Sequence, residues 1–120
     1  MFVGVLRISL QLFGVSSLKG KRSTVRKIID RTRAKFNVSV AEVADNDVHR
    51  KATIGVCAIG NDAGHVDSML CSVVSFIEHI GVAPVASVET EVIPMGGPLQ
   101  GGGELDYHFP ADHDPTEDTW

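Results

Sequence analysis

The feature that most constrains this chain is the order in which its apolar residues change period. Side chains alternate across a strand and return every three to four residues on one face of a helix, so each change of period marks a new element. Phe2, Leu6, Ile8, Leu10 and Leu12 alternate with Arg7, Ser9 and Gln11, the pattern of a half-buried strand over residues 2 to 12. Ser17 then stands as an N-cap, and Leu18, Val25, Ile28, Ile29, Thr32 and Phe36 recur at helical spacing, predicting a first helix over about 18 to 36. Val38, Val40 and Val43 form a β-branched run closed by the turn-prone Ala44-Asp45-Asn46-Asp47, after which residues 52 to 59 are again apolar, so a hairpin is expected. Asn61-Asp62 caps a second helix over about 62 to 80, with Val66, Met69, Leu70, Val73, Ile77 and Ile80 as its stripe and Gly81 as its stop. Pro84 to Ile93 reads as a fourth strand, with Ala86, Val88 and Val92 opposed to Ser87, Glu89 and Glu91.

The resulting order, βαββαβ, is the ferredoxin-like α+β arrangement: a four-stranded antiparallel sheet with both helices on one face, as right-handed crossovers require. The other face is left to solvent, to the remaining chain, or to an interface. One domain over residues 1–95 accounts for the periodic part of the 120 residues. Over 96–120 periodicity stops and Gly, Pro and Asp accumulate, so this segment is expected to be an acidic, disordered tail.

Charge divides along the same boundary. Residues 19 to 35 hold eight of the eleven basic residues, Lys19, Lys21, Arg22, Arg26, Lys27, Arg31, Arg33 and Lys35, against Asp30 alone, a formal +7. Residues 96 to 120 hold six acids and no Lys or Arg, a formal −6, so the net charge of −4 says little about partners. On a helical wheel Lys19, Arg22, Arg26 and Arg33 make one stripe beside the apolar arc, Lys27, Arg31 and Lys35 make another, and Lys21 lies nearer the apolar border. One acid cannot pair so many cations, and their repulsion is relieved when a polyanion neutralises them. A solvated helix face, a nucleic-acid or ribosome contact, and an acidic partner are the alternatives. Arginine's bidentate grip on phosphate favours the second.

Chemistry-bearing patterns are sparse. Strand three, residues 51 to 60, has no aromatic residue on which an RNA-recognition sheet could stack bases. The loop Phe13-Gly14-Val15-Ser16-Ser17 lacks both the arginine of an acylphosphatase-like phosphate site and the CxxC of a metal carrier. No enzyme and no cofactor are therefore expected. His49 falls in the polar hairpin, His65 and His79 sit too far apart on the second helix to chelate together, and His108, Asp112, His113 and Asp114 would hold a metal only weakly. Cys57 and Cys71 lack activating cations and are read as small core or near-core residues. With two cysteines, no basic leader and no apolar run of roughly 18 residues, a reduced, cytoplasmic protein without membrane insertion is the default.

Ser17-Leu18-Lys19-Gly20-Lys21-Arg22, then Phe36-Asn37-Val38-Ser39-Val40-Ala41-Glu42-Val43, then Asn61-Asp62 and His65-Val66, together resemble the YlxP-like family, a small bacterial domain of unknown function. The resemblance spans about residues 1 to 93. It implies the ferredoxin-like fold. Genes of this family often lie beside those of transcription and translation factors, including initiation factor two and ribosome-binding factor A, which implies a role near ribosome maturation or RNA. It supplies no catalytic residues to carry over. Gly20 stands where an acid is common, and the acidic tail lies outside the family pattern.

The expectation is a non-enzymatic accessory protein of translation or ribosome assembly, touching RNA or ribosomal particles through Lys19, Lys21, Arg22, Arg26, Lys27, Arg31, Arg33 and Lys35. The alternative is a structural or protein-binding module that forms a homodimer through the open sheet face. The acidic tail of about 25 residues reaches on the order of 25 to 30 Å, enough to return to the first helix intramolecularly; the alternative is a solubilising tail that touches nothing.

Overall fold

Both helices start where a short polar side chain can take up a free backbone N–H. In the computed structural model, which describes residues 1–96, the Ser17 hydroxyl accepts from the N–H of Gly20 (3.1 Å) and the Asp62 carboxylate from that of His65 (2.8 Å). These caps open α1 (Leu18–Lys35) and α2 (Ala63–Ile80), and Gly81 ends α2 in the left-handed region at φ 69°. The strands are β1 (Phe2–Gln11), β2 (Ser39–Ala44), β3 (Lys51–Gly60) and β4 (Val85–Pro94), giving βαββαβ in chain order.

The strands form one antiparallel sheet in the order β2-β3-β1-β4. Each crossover helix thus skips a strand: α1 carries the chain from β1 past β3 to β2, and α2 carries it from β3 past β1 to β4. Register places Leu6 opposite Val56, Ile8 opposite Ile54 and Leu10 opposite Ala52, and these side chains are buried beneath the helices. Val25, Ile28 and Thr32 of α1 and Val66, Leu70, Val73 and Ile77 of α2 close the core from above. Where α2 crosses β1 there is no room for a side chain: a Cβ on Gly4 would lie 2.4 Å from Val66 Cγ1 and 2.9 Å from Leu70 Cδ1.

The expected elements are observed with bounds moved by a residue or two, and three expectations need correction. Cys71 is exposed, because it lies about 100° round α2 from Leu70 on the solvent side. Cys57 is half-buried on the sheet face away from the helices. In β4 a register shift places Val85 rather than Ala86 opposite Leu10, and on this edge strand Val88, opposite Ile8, is exposed while Val85 and Val92 pack against the core. The acidic segment, its suggested contact with the first helix, and His108, Asp112, His113 and Asp114 lie outside the described residues. Among the described residues no helix is long and apolar enough to cross a membrane, and no group of three or more His, Cys, Asp or Glu could hold a metal ion.

Candidate nucleic-acid interface

The 18 residues of α1 span about 27 Å at 1.5 Å each, a rod with its apolar side on the sheet and seven of its eight cations turned outward. Lys19, Arg22, Arg26, Lys27, Arg31, Arg33 and Lys35 are all exposed. Their two stripes border different neighbours. Arg22, Arg26 and Arg33, with Asp30 and Glu42, line a groove of about 380 Å³ between α1 and β2. On the other side Lys35 lies against α2, its Nζ 5.5 Å from the centre of the Phe76 ring, which in turn meets Phe36 edge-on.

Lys21 is a correction. It is only 1% exposed and cannot contact an external polyanion. It sits four residues before Val25 and seven before Ile28, in phase with the core, so its stem is buried and its ammonium must find partners inside. Nζ lies 2.8 Å from Glu42 Oε2 and donates to the backbone carbonyl of Asp45. Glu42 occupies a β2 position whose side chain faces the helices, opposite Ile54, and Asp45 closes the strand at φ 61°. Asp45 also accepts from the Thr53 hydroxyl through Oδ2 (2.6 Å) and lies 3.8 Å from Lys51 Nζ. Lys21 therefore joins α1 to the end of the β2–β3 hairpin. The paired signal in the sequence was an acid at a core-facing strand position together with a cation at a core-facing helix position.

Arg33 is partly engaged, its Nη2 donating to the Val40 carbonyl at 2.8 Å, which pins the end of α1 to β2. Among the described residues no ion pair involves Lys19, Arg22, Arg26, Lys27 or Arg31. These five remain available to an external anion.

A second feature near the start of α1 was not expected. The β1–α1 loop and the β2–β3 hairpin enclose a cleft of about 540 Å³ lined by Phe13, Ser16, His49 and Arg50, and the Leu12 N–H donates to the Arg50 carbonyl at 2.9 Å, tying the walls together. Phe13 is 77% exposed beside this cleft, an uncommon place for a large apolar ring. Its position in a Gly- and Ser-containing loop was the only sequence signal.

Comparisons with known proteins agree with this architecture. The family described as "Protein of unknown function (DUF503)" matches residues 3–90. A protein of Bacillus subtilis (strain 168) called "Uncharacterized protein YlxP" is 28% identical over 76 residues, 63% of this chain and 83% of that protein. Among solved structures, a de novo designed protein with a ferredoxin fold, determined by solution NMR, superposes with a TM-score of 0.50 at 11% identity, covering 95% of this chain and 99% of its own. At that identity the likeness speaks for the fold alone. With the match running across nearly all of the sheet and both helices, the chain belongs to the DUF503 family, whose members include YlxP-like proteins.

Proposed function

We propose that this protein is a non-enzymatic accessory factor of translation or ribosome assembly that binds RNA, or RNA on ribosomal particles, through the outer face of α1. The observation that carries the reading is the set of five exposed cations, Lys19, Arg22, Arg26, Lys27 and Arg31, with no ion-pair partner among the described residues. Holding like charges along one rod costs free energy that a polyanion offsets by releasing its own counterions. Arg22 and Arg26 stand one turn apart on the groove edge, about 6 Å along the axis, and present guanidinium forks suited to successive phosphates. Contacts of this kind grip a backbone without reading its bases. Phe13, beside Arg50 at the near end of the helix, offers a ring on which an unpaired base could stack.

The same cations would attract the six acids of residues 97–120. That segment then competes with RNA at low salt, and truncation after Met95 strengthens RNA binding there more than at high salt.

Arg22→Glu with Arg26→Glu tests the reading. Both positions are exposed, so melting should change little, while co-sedimentation with ribosomal particles should be lost. Unchanged co-sedimentation of the folded double variant would remove α1 as the contact.

A further inference from the structure

The sheet face away from the helices is apolar at one end and more polar at the other, where Val43, lying over Gly55, is an exposed apolar side chain. Its first row, read from the register, is Ile59, Val3 and Ile93, and the next is Ser39, Cys57, Val5 and Glu91. Met1 and Met95 continue the alternation past the first row, joined by the Met95 N–H to the Met1 carbonyl at 2.7 Å. Met1, Val5, Ile59, Ile93 and Met95 are 36–64% exposed, so a contiguous apolar patch of five large side chains faces solvent. In the row beyond Val5, Arg7 pairs with Glu89 at 2.7 Å and the polar half of the face begins.

We infer that a second copy of this chain covers this patch, forming a two-fold dimer sheet to sheet. The size fits: three strands of ten residues and one of six, about 4.8 Å apart, present roughly 570 Å² before side-chain relief is added, somewhat below the ~800 Å² per partner of a standard interface. The arrangement of charge fits as well. A two-fold axis parallel to the strands and between β1 and β3 lays patch on patch and sets each Val5 over the other copy's Cys57. The same axis sets Glu91, on the β4 edge, over the other copy's β2 edge, where Ser39 and Ala41 are uncharged. Arg7 and Glu89 already neutralise each other, so no unpaired like charges meet. An acidic occupant such as residues 97–120 would instead meet Glu91 with like charge.

Dimerisation through this face leaves both α1 helices outward on opposite sides, so the inference stands or falls independently of RNA binding. Sedimentation velocity of the full chain from about 5 to 500 µM, with circular dichroism as the check on folding, tests it. The wild type should sediment as twice 12.9 kDa at the upper concentrations. Val5→Lys and Ile59→Lys should each stay folded and sediment as monomers, and Ile59→Leu should remain dimeric. In the Cys71→Ser background a short bis-maleimide should join two copies through Cys57. A wild type that stays monomeric throughout overturns the proposal, as does a dimer that survives both lysine variants. A monomer that dimerises only when Tyr107 and Phe109 are replaced by Ser also overturns it, assigning the patch to the chain's own C-terminal segment.

Discussion

Lys21→Met is the sharpest perturbation of the fold. It keeps the buried stem nearly intact while removing the ammonium that faces Glu42 and the Asp45 carbonyl. The Glu42 side chain is 16% exposed, so its carboxylate would be left mostly buried with no cation. Breaking a buried pair by removing one partner costs about 3 to 5 kcal/mol, and partial exposure of Glu42 moves the expectation toward about 2 to 4 kcal/mol. For a domain of this size that corresponds to a fall in Tm of roughly 10 to 25 °C. Lys21→Met with Glu42→Leu removes both charges and should recover most of the loss, because two apolar side chains need no partners. Urea denaturation of the wild type, both single variants and the double variant completes the cycle, with the midpoint moving and the slope constant. A Lys21→Met variant within about 0.5 kcal/mol of wild type, the range of ordinary surface changes, would show that the buried pair does not hold α1 to the hairpin.

Gly4→Ala forces a methyl into Val66 and Leu70 of α2 and should destabilise by about 1 to 3 kcal/mol, measurable as a lower urea midpoint. Ile28→Ala and Val73→Ala each truncate a fully buried side chain and should cost roughly 1 to 4 kcal/mol in the same assay; an unchanged midpoint for either would mean that its helix is turned wrongly on the sheet. The Arg7 guanidinium, through its hydrogen bond and its charge, holds the Glu89 carboxyl below the ordinary carboxylate value. The small stabilisation from this pair is present above the unfolded pKa and is lost as pH falls through the folded one. Arg7→Ala should therefore move the Glu89 titration upward in an NMR pH series, and an unmoved midpoint would show that the pair does not persist in solution.

Much of the architecture was legible because it depends on period and punctuation. Ser17, Asp62 and Gly81 mark helix ends by chemistry that needs no tertiary context, and the alternation of Leu6, Ile8 and Leu10 fixes which face of β1 is buried. Lys21 was not legible from its helix alone. A cation on a core face is explained only by an acid brought there by another element, and Glu42 lies 21 residues on, joined through the topology. The same limit applies to the candidate site. Which residues are basic is written in the chain, but that Arg33 is tied to Val40, and that Arg22 and Arg26 border a groove, depends on where β2 lies beside α1. The cleft beside Phe13 is built from two loops distant in sequence and left no periodic trace.

The central claim is that the exposed cations of α1 bind RNA through its phosphates, and the salt dependence of binding tests it most directly. Affinity for a single-stranded RNA, measured between about 50 and 300 mM salt, should fall linearly in a log–log plot with a slope of about −0.7 for each phosphate contacted, so four or five contacts give roughly −3. Arg22→Glu with Arg26→Glu should make that slope shallower by at least about 1.4 as well as weaken binding. A slope near zero for the wild type, or the same slope for wild type and variant, would contradict the account.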